Sequence, residues 1–255
     1  LKASNMFGTY CATFHPMLPL LITNSFEGKT TLFDITTSPP IIKYEHQSAA
    51  LGHIYSTFFN PSFAFIGISY LKTSTILYDI STVIPIVKYN FKHGATCIRF
   101  HPHFPIVAIN DVIDNSIIIY DLTTSQPTVK HHIKDHTGSV CDIVFYPLLS
   151  VFATSLMDNS IMLYNFTTLP LIIKHCFTPK INTTPYVAFH PIIPLVCTNG
   201  EYGSMILYDI STSPPTMKYN FKHDITWSTW VVFHTILPLL AISLQNESDA
   251  IIIYD

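Results

Sequence analysis

The chain is a succession of short apolar or alternating segments, each closed by a turn signal, a pattern that fits strands and not helices. One stretch shows the grammar. Ser139-Val140-Cys141-Asp142-Ile143-Val144-Phe145 alternates toward its phenylalanine, and a turn at Pro147 follows. An apolar strand then runs from Leu148 to Thr154, and a polar turn, Met157-Asp158-Asn159-Ser160, leads into Ile161 to Tyr164. After a Thr/Pro loop comes a last strand, Leu171 to His175, with Lys174 inside it. The spacing predicts four short strands per unit.

The unit repeats six times. Segments ending in an aromatic followed by Asp or Asn close at Asp34, Asp79, Asp121, Asn165, Asp209 and Asp255, intervals of 45, 42, 44, 44 and 46 residues. A second anchor, Phe followed by His, Asn or Tyr and usually Pro, begins at Phe14, Phe59, Phe100, Phe145, Phe189 and Phe233. A third is a lysine nine residues after the Asp/Asn: Lys43, Lys88, Lys130, Lys174 and Lys218. A fixed period of this length is the mark of the propeller blade. The lysines sit on the outermost strand of each unit, where a charge in an exposed edge discourages edge-to-edge pairing.

The expected architecture is all-β: a single six-bladed β-propeller over residues 1–255, with antiparallel four-stranded blades at about 9–46, 54–92, 95–133, 139–176, 184–221 and 227–255. The sixth unit reaches only its third strand at Asp255. Lys2 precedes Phe14 by 12 residues, as Lys88 precedes Phe100. Residues 1–6 are therefore expected to supply the missing outer strand and close the ring, which removes its open edges.

Composition narrows the function. Of 255 residues, 48% are hydrophobic and 11% charged, and the net charge is −3 with one arginine, Arg99. A nucleic-acid ligand needs a basic stripe to displace counterions, and none is present. The most apolar stretch, Trp230 to Ser243, is interrupted and too short to span a bilayer, so membrane insertion is not expected. Five cysteines without a CxxC pair read as reduced core residues, and an intracellular, cytoplasmic location is expected.

The fourth unit resembles a WD repeat, through Asp135-His136-Thr137-Gly138, the alternating strand to Phe145, the turn at Asp158 and the closing Tyr164-Asn165. The third unit is similar. The resemblance implies a structural hydrogen-bonded set: His136, Asp158, Ser155 (or Thr154) and Tyr164 in unit four, and His93, Asp114 and Tyr120 in unit three. No unit keeps the family's Trp; tyrosine or Phe33 replaces it. The turn Asp becomes Glu27, Lys72, Tyr202 or Ser248 in the other units. Aromatic packing is expected to carry more of the stability than polar networks do.

Thirteen histidines invite a metal hypothesis, but His15, His101, His190 and His234 recur at one repeat position, which marks them as structural. No HExxH or tight His/Cys set appears, so no metal is expected, and no cofactor either. There is no GxSxG elbow and no phosphate-cradling glycine loop. The expected role is a non-catalytic protein–protein interaction scaffold, monomeric, whose outer-to-inner strand connections form the binding face. Lys92, His93, Asp135, Tyr202, Lys222 and Asp224 are the candidates there. The alternatives are a propeller enzyme or lectin acting at the central channel, or a structural subunit of a large assembly.

Overall fold

The computed structural model describes residues 9–25, 28–47, 53–71, 73–168, 171–178, 185–200, 204–222, 227–234, 237, 239–245 and 250–255. Among these there is no helix, and so none long and apolar enough to cross a membrane. The strands form six antiparallel sheets, five of four strands and one of three. This propeller-like pattern of repeated sheets follows from the three sequence anchors.

The chain divides into two compact units, Leu1–Asp135 and His136–Asp255. The first unit holds three sheets. The first sheet runs β1 (Thr9–Phe14), β2 (Leu20–Ser25), β3 (Lys29–Asp34) and β4 (Ile41–Gln47). The second runs β5 (Ile54–Phe59), β6 (Phe65–Tyr70), β7 (Ser74–Asp79) and β8 (Ile86–Phe91). The third runs β9 (Ile98–Phe100), β10 (Ile106–Asn110), β11 (Ile117–Asp121) and β12 (Thr128–Ile133).

The second unit continues in the same order. Its first sheet is β13 (Val140–Phe145), β14 (Val151–Leu156), β15 (Ile161–Asn165) and β16 (Ile172–Phe177). Next comes β17 (Val187–Phe189), β18 (Leu195–Asn199), β19 (Met205–Asp209) and β20 (Thr216–Phe221). The sixth sheet has β21 (Trp227–Phe233), β22 (Leu240–Gln245) and β23 (Ala250–Tyr254). Residues 1–6, expected to complete it, lie outside the described residues.

Within each unit the core lies between consecutive sheets, because a twisted four-stranded sheet cannot cover both its faces alone. Leu20, Ile22 and Leu32 pack against Ile54, Ile66 and Ile68 of the next sheet, and Leu163 and Phe177 pack against Val187 and Val196. Each such aliphatic side chain, fully buried, contributes about 1.5–3 kcal/mol. A glycine sets one of these approaches. A Cβ on Gly67 would stand 2.3 Å from Ile98 Cδ1 and 3.2 Å from the Phe100 ring, so the strand carries no side chain there.

Aromatic pairs stitch sheets together at the aromatic that precedes the closing Asp of a unit. Tyr120, Tyr208 and Tyr254 each meet a phenylalanine ending the outer strand of the preceding sheet, namely Phe91, Phe177 and Phe221, with ring centroids 4.4, 4.6 and 4.6 Å apart. Such pairs are worth about 0.5–1.5 kcal/mol beyond the area they bury.

The repeated lysine has a geometric identity that spacing alone does not convey. In all five outer strands it is the extra residue of a β-bulge. Leu32 pairs with Tyr44 and Phe33 with Ile42, skipping Lys43. The same skip falls on Lys88, Lys130, Lys174 and Lys218. Bulge and charge are both devices that spoil an edge for pairing. They are needed, because Ile41, Ile42, Ile86, Val87, Ile172 and Ile173 on these edges are exposed.

Candidate binding face

In each four-stranded sheet the first-to-second and third-to-fourth strand turns share one end. The second-to-third turn and the connection to the next sheet share the other. The second end carries the residues that the WD resemblance points to.

In the second unit, Tyr164 and His136 are joined by a hydrogen bond between Tyr164 Oη and His136 Nε2 at 2.9 Å, and the Tyr164 ring stacks on Phe152. Tyr164 is fully buried, so the contact fixes the connection that carries His136 to the third strand of its sheet. Asp158 lies in the adjacent turn and is engaged separately. Its carboxylate accepts hydrogen bonds from Ser160 N (2.9 Å), Ser160 Oγ (2.6 Å) and the Thr137 hydroxyl. These bonds outweigh a desolvation that would raise it, and the carboxyl is held below its ordinary range. Gly138 lets the loop lie on that turn, since a Cβ there would meet Asp158 N at 2.9 Å. Ser155 and Thr154 are buried in β14 with hydroxyls that find no partner among the described residues. The geometry is thus a His–Tyr pair beside an Asp turn, with the strand hydroxyls apart from both.

The third sheet repeats this in weaker form. His93 Nε2 and Tyr120 Oη lie 3.2 Å apart. Burial pushes the His93 imidazole down from its ordinary value, against the pull of Asp111 and Asp114. Asp114 accepts from Ser116 N at 3.0 Å and pairs with Lys134 at 3.1 Å. The bond from Ser116, with lesser help from Lys134, holds its carboxyl down at about 2.

Of the candidate contact residues, Lys92, Asp135 and Lys222 are exposed and His93 is half-buried. Lys92 and His93 share one connection of the first unit, Asp135 ends that unit, and Lys222 belongs to the second. Tyr202 and Asp224 lie outside the described residues, as do Glu27, Lys72 and Ser248.

One set of residues, Ser155 apart, escapes a motif-by-motif reading. Ten residues after each anchor phenylalanine stands Asn24, Ser69, Asn110, Ser155, Asn199 or Ser243. A polar residue in phase inside an otherwise apolar strand is the signal that finds them. Asn110 Oδ1 accepts from Thr96 N (3.1 Å) and Cys97 N (2.7 Å), and its Nδ2 donates to Thr96 Oγ1 at 2.7 Å. Asn199 Oδ1 accepts from Tyr186 N. Asn24 instead reaches the next sheet, donating to Thr57 Oγ1 at 2.6 Å. The buried amides of Asn110 and Asn199 therefore clamp the point where a connection enters the first strand of its sheet.

The repeated histidines do structural work at the opposite end. His15 Nδ1 accepts from Met17 N and Leu18 N, both at 3.0 Å, and His101 and His190 cap their turns in the same way. Asn60 does so with Oδ1. Among the described residues no group of three or more His, Cys, Asp or Glu side chains converges as a metal site would need.

No protein-family model matches the chain, and no curated protein matches it.

Proposed function

We propose that this chain is a non-catalytic protein-interaction scaffold of the WD-repeat type, binding its partner at the end where outer strands connect to the next inner strand. One observation carries the reading: that end has a fixed base and a variable surface. His136–Tyr164, His93–Tyr120 and the Asn110 clamp pin the connections from below. Lys92, Asp135 and Lys222, on or beside such connections, are exposed. Loops presented on a rigid repeat are where such scaffolds place recognition, and preorganisation lowers the cost of binding. Charge at the face supplies orientation and discrimination.

The same proposal takes the six sheets as a closed six-bladed ring, with residues 1–6 as the outer strand beside β23. The spacing of Lys2 to Phe14 supports it. The free thiols of Cys97, Cys141, Cys176 and Cys197 support an intracellular, reducing setting.

The test is affinity capture with the intact chain against a variant carrying Lys92→Glu, Asp135→Lys and Lys222→Glu. Partners retained by the first and lost by the second support the face. Equal recovery by both rejects it. Deleting residues 1–6 should lower the melting temperature by several degrees; an unchanged value rejects the closure.

A further inference from the structure

His93 sits where several elements of the first unit meet. It stands just after β8, and its carbonyl accepts a hydrogen bond from Thr75 Oγ1 of β7 at 3.2 Å. The next carbonyl, that of Gly94, accepts from Val112 N in the turn after β10 at 3.3 Å. The His93 ring lies beside those of Tyr120 and Phe91, with centroids 6.3 and 6.1 Å away. Nε2 meets the Tyr120 hydroxyl at 3.2 Å, while Nδ1 is buried and finds no partner among the described residues.

This inner seat suits a neutral ring. Burial, with Asp111, pushes the Tyr120 phenol up, so it keeps its proton and can donate to Nε2. An imidazolium would bring a second N–H to Nδ1, and a buried donor without an acceptor is costly. Asp111 and Asp114 favour the charged ring and His132 opposes it, but desolvation outweighs the two acids. Lys134 already pairs with Asp114 at 3.1 Å, and His132 is engaged by Ser116 Oγ at 3.1 Å. Lys92, next to His93 in the chain, is exposed.

A second seat lies outward of the first. The Gly94–Val112 bond ties the residue after His93 to the residue after Asp111, so the two side chains stem from adjoining points of facing segments. One Asp111 carboxylate oxygen caps Ile113 N at 2.9 Å, and a carboxylate has a second oxygen to offer a cation. A charged ring turned outward exchanges a buried, unpaired N–H for a solvated one beside an acid. The matching turn of the fourth sheet lacks this seat. Leu156 and Met157 precede its acid, Asp158, whose carboxylate already serves Ser160 and Thr137.

We propose that His93 is a proton-operated latch: neutral, it is held inside by Tyr120; protonated, it swings out to Asp111 and loosens the Gly94–Val112 bond. The sign follows from the two seats. The outer one binds the proton more readily, so acid favours it. Between the ordinary histidine value of 6.5 and the lower value of the seated ring, the ratio of inner to outer falls by at most about tenfold per pH unit. The latch goes beyond the scaffold reading and is tested on the chain alone, so either can fail without the other.

Amide hydrogen exchange on the full chain, corrected for intrinsic rates and read by NMR from about pH 7.5 to about pH 5, tests it. Protection of the Val112 amide should fall about tenfold or more across that range. The Thr96 and Cys97 amides, held by Asn110, should keep theirs, as should Ile109 in β10. A loss shared by all four is global destabilisation and overturns the latch. His93→Phe keeps a ring in the inner seat without a proton to gain, and should make Val112 protection independent of pH. Asp111→Asn keeps the cap on Ile113 but removes the charge, and should move the fall to lower pH. Constant Val112 protection in the wild type overturns the proposal, as does an undiminished fall in His93→Phe. An unmoved midpoint in Asp111→Asn overturns the outer seat, and the latch with it.

Discussion

Lys174 Nζ donates a hydrogen bond to the Ile210 carbonyl of the neighbouring sheet, 2.8 Å away. Its counterpart Lys218 pairs with Asp209, nine residues before it, and Asp34, Asp79 and Asp121 likewise feel Lys43, Lys88 and Lys130. The exception has a simple cause. Position 165 is Asn, so Lys174 has no local carboxylate and finds a backbone acceptor across the sheet boundary instead. Lys174→Met should therefore destabilise by about 1 kcal/mol, a charged hydrogen bond discounted for half exposure. Lys218→Met should fall within error of wild type. Urea midpoints of the two variants check the contrast, and equal losses would reject it.

The Asn110 clamp predicts a larger effect. Asn110→Ala leaves two amides and one hydroxyl without their buried partner, and should cost about 2–3 kcal/mol. Hydrogen exchange gives the local signature. The Thr96 and Cys97 amides should lose protection well before those of β10, whereas a purely global effect would raise all rates together.

His136 and Tyr164 should be coupled. A double-mutant cycle with His136→Phe and Tyr164→Phe is expected to return about 1 kcal/mol of interaction. The longer His93–Tyr120 contact should return less. Additivity at the first pair would mean that ring packing alone holds the connection.

The turn histidines give a pH dependence with a definite sign. Each accepts through Nδ1, so the folded state needs the neutral ring. Burial, aided by His103 and Lys130, pushes His101 from 6.5 down to about 4, and burial lowers His15 and His190 as well. Between those values the unfolded chain binds the extra proton. Stability is thus complete above about pH 6.5 and drains as pH falls toward 4, by up to about 3 kcal/mol for His101. The lowered carboxylates lose their contribution only below about 3.8, a separate window. His101→Asn, copying Asn60, should keep the turn and flatten this slice of the profile. Urea unfolding at pH 7 and pH 5 decides it; an unchanged acid loss would remove His101 as its source.

The sequence by itself determined the order of the described strands but not their bounds: the strand expected from Leu148 begins at Val151. Period-two patterning, proline turns and three in-phase anchors are local signals, and they place Phe14, Asp34 and Lys43 and their repeats in the structure at equivalent positions. The same periodicity marked His15 and His101 as structural, since a residue that recurs at one position in four of the six units serves the repeat. What it did not convey is which partners those residues choose. The bulge at Lys43, the reach of Lys174 to Ile210 and the clamp of Asn110 on Cys97 are set by register and by contacts between strands far apart in the chain. The separation of Asp158 from the His136–Tyr164 pair has the same origin, because each group takes the nearest geometrically available partner. Only the tertiary structure decided that the aliphatic doublets at 148–149 and 192–193 face water. Hydrophobicity along a chain says that a side chain gains from burial, and three-dimensional packing alone says whether the molecule has buried it.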